Sequence, residues 1–379
     1  MNAKPAGGPA RDSTARIQDS VLIVGNFLSG SRITRFVCED LASQLTASGW
    51  RVLTASAKLN RVSRLLDMVA TAWRCRRQYA VGQVDVYSGA SFFWAEVVSA
   101  VLRCAGKPYV LTLHGGRLPE FATRWPRRVR RLLRSAAAVT SPSRYLCERL
   151  RLMGVSIRVL PNPIEMARYP FRHRRALCRN IVWLRAFHRI YNPMLAPRVL
   201  SILCEEYPET RLVMIGPDKA DGSLQETKRA AVDLGVADRI IFAGGILKED
   251  VSGWLSKGDV FLNTPNIDNT PVSILEAMAC GLCVVSTNVG GLPYLMEDRR
   301  TALLVPPDDA ESMAAAVRML FDRPDIAEQL SLNGRQMAET FDWKAILPVW
   351  EGLLRDVVRS GATPSEAPRA AGASQNGAV

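Results

Sequence analysis

Two rhythms alternate along the chain. Short apolar runs rich in Val, Ile and Leu stand at 21–25, 51–56, 84–88, 109–114, 137–141 and 157–162, and again at 180–185, 211–216, 239–244, 259–264, 283–288 and 302–306. Between them lie segments such as RFVCEDLASQLTASG, whose apolar residues return every three or four positions. Buried strands alternating with helices predict parallel, doubly wound sheets. Midway, LPNPIEMARYPFRHRRALCRN brings three prolines and a charge cluster and interrupts both rhythms. The pattern therefore predicts an α/β chain of two Rossmann-like doubly wound domains, 21–163 and 180–342, facing across a cleft and joined by a linker at 164–179. A helical segment follows at 343–360, and the Ala-, Gly-, Ser- and Pro-rich ends, 1–20 and 361–379, read as disordered tails.

Composition supports two cores. The chain has 379 residues, of which 48% are hydrophobic, enough for two domains of ordinary size. No apolar run approaches the eighteen or so residues of a membrane span, and the first twenty lack a signal-like apolar core, so a cytosolic chain is expected. Of eight cysteines only Cys280 and Cys283 form a C-x-x-C, with no second pair or flanking His to complete a metal site, and packing is their expected role.

Charge changes the picture. A formal net charge of +13 favours anionic partners, and the excess gathers in RVSRLLDMVATAWRCRR (61–77) and RWPRRVRRLLR (124–134). Two readings stay open: solvated helix faces, or a basic face whose Arg124, Arg127, Arg128, Arg130, Arg131 and Arg134, beside Trp125, Val129, Leu132 and Leu133, meet an anionic membrane surface. No nucleic-acid motif accompanies the charge, and no nucleic-acid partner is expected.

The chemistry concentrates in NIDNTPVSILEAMACGLCVVSTNVGG (266–291). Asp268 and Glu276 stand eight apart around a helix start near Thr270, with Asn269 or Thr270 placed to cap it and Pro271 suited to its first turn. A helix ending at Gly281, a buried strand and a Gly-Gly loop follow. In open α/β sheets ligands sit at the carboxyl ends of strands, so GNFLSGS, HGGR, LRAFHRIYNP and GPDK should line the same cleft.

This segment resembles the donor-binding signature of glycosyltransferase family 4, retaining and metal-independent enzymes of the GT-B fold, in which two Glu are separated by seven residues. Asp268 takes the first position and Glu276 the second. SAAAVTSPSRYLCERLRLMGVSIRVLPNPIE resembles the end of the family's acceptor domain, and FDWKAILPVWEGLL the helix that returns to it. The resemblance implies an acceptor-side first domain and a donor-binding second. It gives Arg185 to the diphosphate, with Gly30, Asn269 and Thr270 adding N–H donors, and Glu276 to the ribose hydroxyls. Asp268 falls beside the transferred sugar, His114 against sugar or acceptor, and Gly216 near the base. A hexosyltransferase is implied, taking a nucleotide diphosphate sugar to a lipid-linked or saccharide acceptor in polysaccharide or lipopolysaccharide synthesis. It would need no metal or cofactor and would work in the cytoplasm or on the inner membrane face.

The chain also departs from the family. Asp268 replaces Glu, the usual Lys falls at Tyr191 or Asn192, with His188 and Arg189 near enough to replace its charge, and Pro293-Tyr294 replaces Pro-Glu. A non-transferring, nucleotide-sugar-binding member is one alternative. A Rossmann dehydrogenase is another, opposed by the lack of G-x-G-x-x-G after Val21 to Gly25.

Overall fold

The computed structural model describes residues 18–28 and 37–361. Two six-stranded, all-parallel sheets form, in the orders β2-β1-β3-β4-β5-β6 and β12-β11-β10-β7-β8-β9. The first comprises β1 Ser20–Val24, β2 Arg51–Ala55, β3 Val81–Val86, β4 Tyr109–Leu113, β5 Ala138–Ser141 and β6 Arg158–Val159. The second comprises β7 Asn180–Leu184, β8 Arg211–Ile215, β9 Ile240–Gly244, β10 Val260–Asn263, β11 Cys283–Thr287 and β12 Leu303–Val305. Strand order reverses beside β1 in one sheet and beside β7 in the other, and such switch points open the crevices where α/β sheets bind ligands.

Side chains alternate across each sheet, and that divides the cores. Leu22 and Val24 of β1 pack under the helices Arg61–Arg74, Ala90–Cys104 and Pro126–Arg134, while Val21 and Ile23 face the helices Val37–Ala47 and Trp343–Ser360. In the second domain Ile181 and Trp183 face one layer of helices and Val182 the other.

Three expectations change. The third strand begins at Val81, not at 84, because Gln83, which breaks the apolar pattern, is buried and donates to Thr112 Oγ1 at 2.9 Å. Ser20, assigned to the first tail, opens β1; residues 1–17 and 362–379 lie outside the described residues. In the basic helix Pro126–Arg134, Val129, Leu132 and Leu133 are buried against the sheet, Arg128 is bound to Glu96, and only the remaining arginines and Trp125 face outward. Of the apolar residues expected to meet a membrane there, Val129, Leu132 and Leu133 are core residues and Trp125 alone stays exposed.

The domains are joined twice. Ile164 accepts from Trp343 N–H and donates to Phe341 O, so the linker and the returning chain run side by side, and the helix Trp343–Ser360 then packs Trp350 and Leu354 on the first domain. The linker's charge cluster is an anchor. Arg174, fully buried, donates to the carbonyls of Cys280 and Gly258 at 2.7 Å and faces the equally buried Asp259, which also accepts from Arg172 Nη2 and Cys178 N–H. Burial, and next the nearby Arg172, push the Arg174 guanidinium down to about 10. Asp259→Ala strands that charge and is expected to lower the unfolding free energy by about 3–5 kcal/mol, read by urea denaturation.

Candidate active site

Strand ends place the expected residues. Arg185 follows β7 and donates its N–H to Ile215 O at 3.0 Å. Directly beside it, Gly216 has φ +147°, and a Cβ there would lie 1.8 Å from Arg185 O, so only glycine lets the ends of β7 and β8 approach this closely. Asp268 sits in the loop between β10 and the helix Val272–Ala279, across the switch point from Arg185. Its backbone is seated by the Gly-Gly loop: Gly291 N–H donates to Asp268 O at 3.1 Å, and a Cβ on Gly290, at φ +56°, would come within 2.1 Å of the same carbonyl.

The helix start differs from expectation. Pro271 precedes the first helical residue, and neither Asn269 nor Thr270 caps it. Asn162 Nδ2 from the first domain holds Thr270 O at 3.2 Å, and Asp268 Oδ1 takes the Asn269 N–H at 2.8 Å, which fixes the loop without a side-chain cap. Both residues line an interdomain cavity of about 570 Å³ instead. His114 and Gly116 enter it from the first domain, Arg185, Tyr191 and Asp268 from the second.

Within it the Arg185 guanidinium is ion-paired to Asp268 and stacks 4.3 Å above the Tyr191 ring. Burial disfavours its charge, yet Asp268, Tyr191 and Glu276 more than offset this and hold it above its ordinary value. Arg185 Nε, Asn269 Oδ1, Thr270 Oγ1 and Ser273 Oγ are buried with no hydrogen-bond partner in the protein. Buried polar atoms are rarely left so, and these four gather around one cavity.

His114 is held from behind. Its Nε2 lies 3.2 Å from Asp85 Oδ1, which also accepts from Gln83 Nε2 at 2.9 Å, and Tyr87 stacks on the ring at 5.2 Å. A carboxylate only accepts, so in the neutral imidazole Nε2 carries the hydrogen and Nδ1 is left as an acceptor. Burial, and next Asp85, push the Tyr87 phenol well above its ordinary value.

A second cavity, about 360 Å³, shares Arg185, Tyr191 and Ser273 with the first and is lined further by Gly216, Ile246, Lys248 and Glu276. Glu276 is buried; its Oε1 accepts from Tyr169 Oη at 2.7 Å and from the Lys248 ammonium. Burial and then Glu276 raise the Tyr169 phenol. Asp85, Tyr169 and Lys248 had not been anticipated. Asp85 left a signal, a charge near the end of an apolar strand; Tyr169 in the linker and Lys248, 28 residues before Glu276, left none.

Arg189 lies elsewhere. It is two-thirds exposed and paired with Glu226 on the helix Ser223–Asp233, and it lines neither cavity, because the turn Arg189–Tyr191 carries it outward while Tyr191 turns under Arg185. His188 lines the first cavity and accepts from Ile190 N–H at 3.1 Å. Gly30 lies outside the described residues. Tyr294 crosses between domains, donating to Glu148 Oε2 at 2.8 Å. Cys280 and Cys283 are buried free thiols, both pushed up to about 12 by burial. A larger cavity, about 680 Å³ beside Glu297 and Asn333, contains none of the expected site residues.

Residues 35–168 match the model described as Glycosyltransferase Family 4, and residues 179–323 the one described as Glycosyl transferases group 1. The chain belongs to this family. A D-inositol 3-phosphate glycosyltransferase of Mycobacteroides abscessus is 34% identical over 42% of this chain, and one of Saccharomonospora viridis 32% identical over 42%. The matches span only 36% and 39% of those relatives' own lengths. A GDP-mannose-dependent alpha-(1-6)-phosphatidylinositol monomannoside mannosyltransferase of Mycolicibacterium smegmatis is 27% identical over 81% of this chain and 84% of its own. Sucrose-phosphate synthase from Thermosynechococcus elongatus shares the fold with a TM-score of 0.76 at 18% identity, covering 90% of this chain and 99% of that one. The GT-B arrangement of two facing domains is thereby established.

The seating of Asp268 is open to a direct test. Gly290→Ala forces a side chain into a left-handed backbone against the Asp268 carbonyl and is expected to cost about 1–3 kcal/mol or more in urea denaturation.

Proposed function

We propose that the chain transfers a hexose from a nucleotide diphosphate sugar to a hydroxyl of a lipid-linked or saccharide acceptor, with retention of anomeric configuration and without a metal. The observation that carries this reading is the junction of the two cavities, where a buried Arg185, an opposed Asp268 and unpartnered polar atoms gather. Cleavage of the bond between the anomeric carbon and the diphosphate leaves negative charge on the phosphate. Arg185 and the backbone N–H groups that open the helix Val272–Ala279 form a preorganised site for it.

In this scheme Asp268 steadies the sugar and its developing oxocarbenium character. His114 Nδ1 accepts a hydrogen bond from sugar or acceptor, and Glu276, buried by Tyr169 and Lys248, holds the ribose through charge-assisted bonds. The family's usual Lys has no direct replacement at Tyr191, whose ring instead supports Arg185; Lys219 and Lys248 bring cationic charge into the donor cavity. The Mycolicibacterium relative is named for GDP-mannose, and an Anabaena structure of the same fold, at a TM-score of 0.70, was solved with UDP and glucose, so both bases belong in the test.

Thermal unfolding with UDP, GDP and their sugars is the first experiment: the true nucleotide at a hundred times its Kd adds about 2.7 kcal/mol of stability. No response to any nucleotide diphosphate would overturn the reading. Stabilisation without sugar transfer would favour the non-transferring alternative. With the donor known, Arg185→Ala is expected to lower kcat about a hundredfold or more, Asp268→Asn to lower kcat more than donor affinity, and EDTA to leave turnover unchanged.

A further inference from the structure

The two sheets have four outer strands, and three of them are guarded against further pairing. β2 opens on the exposed Arg51, β6 is two residues long and includes Arg158, and β12 has three residues. β9, Ile240–Gly244, differs: it has five residues, IIFAG, with no charge and no proline. It pairs with β8 on one side and, among the described residues, with no strand on the other. Natural proteins blunt strand edges with charge, proline or shortness, and a bare edge of this length is a template for another strand.

The apolar surface around β9 is arranged from end to end. Ile241 within the strand is 53% exposed, Val232 and Leu234 before it are 66% and 38% exposed, and Leu247 after it is 57% exposed. The helix Ser223–Asp233 delivers Val232 and Leu234 to the amino end of β9, whereas Leu247 stands beyond its carboxyl end. Antiparallel pairing of two copies about a two-fold axis sets the end of each strand beside the start of the other, so each Leu247 approaches the partner's Val232 and Leu234. These residues widen an interface that strand pairing by itself would leave small.

Charge favours a second copy over an anionic partner. The chain has a formal net charge of +13, and two copies repel over most of their surface. Residues 228–250 are balanced: Lys228, Arg229, Arg239 and Lys248 offset Asp233, Asp238, Glu249 and Asp250. A surface of mixed sign presents both signs to its own copy.

We propose that two copies of the chain associate through β9, pairing antiparallel about a two-fold axis so that their six-stranded sheets run on as one. Leu247 stands between Ile246 and Lys248, which line the second cavity with Glu276, so the pairing also braces one wall of that cavity in each copy.

The test is sedimentation velocity of the full chain from about 1 to about 100 μM, without nucleotide or acceptor, so that its outcome is independent of sugar transfer. A species of twice 41.8 kDa that grows with concentration is expected, with amide hydrogen exchange in 240–244 slowing as it forms. Ile241→Lys places a charge on the open edge and should weaken association about tenfold or more. Should that variant fail to fold by circular dichroism, Val232→Ser with Leu247→Ser is expected to act in the same direction. A chain that stays monomeric, or a dimer that the folded variant leaves intact, would overturn the proposal. A dimer in which 240–244 exchange as fast as in the monomer would also overturn it and give the association to another face. A monomer in which 240–244 are already protected would overturn it too and give the edge to a segment of the chain itself.

Discussion

Arg185 stands between two domains at the end of β7, where burial works against its charge, and much of the surrounding structure exists to make that charge tolerable. Asp268 supplies the counterion, Tyr191 lends the face of its ring, and Glu276 adds a more distant negative field. Each has its own support. Gly290 and Gly291 admit the backbone that positions Asp268, Gly216 admits that of Arg185, and Lys248 with Tyr169 neutralises and covers Glu276. A buried charge whose partner also lines a cavity is exposed to competition. Under the proposed function, an incoming diphosphate would replace one anion with another, so that binding need not uncover a lone cation in a low dielectric.

The architecture brings the required parts to this point from both sheets. Strand order reverses at β7, so Arg185 and Asp268 lie across one crevice, and the first domain presents His114 and Gly116 toward it. Direct contacts over the cleft include Asn162 with Thr270, Tyr294 with Glu148 and the close approach of Gly116 to Ile267. The firm connection is at the hinge, where the chain crosses twice and the linker is bolted through Arg174 to Asp259.

The same fold divides the surface by task. One face of the first sheet is covered by helices whose arginines point outward, and the returning helix Trp343–Ser360 seals the other. Basic residues that look alike in sequence separate here: Arg128 is spent on Glu96, Arg64 is buried, and the rest stay in solvent. Net charge alone did not distinguish these roles, since it counts residues without regard to the direction they face.

Local rules settled a good deal in advance. Periodicity of two kinds gave twelve strands and their alternation with helices, because buried parallel strands demand continuous apolar runs and the connecting helices demand one apolar face. The spacing of Asp268 and Glu276 and the glycines after them pointed to a crevice at strand ends, and the structure sets Asp268 and Glu276 around cavities there, since glycine is required where backbones meet. Tertiary structure alone decided the partners: that Lys248 and Tyr169 converge on Glu276, that Asp85 fixes the His114 ring, that Arg189 leaves the cleft while Tyr191 enters it, and that Val129, Leu132 and Leu133 turn inward while Val62 and Leu66 turn out. The physical reason is that a helical or strand period fixes which residues share a face, whereas which face meets core, cleft or solvent depends on packing between segments far apart in the chain.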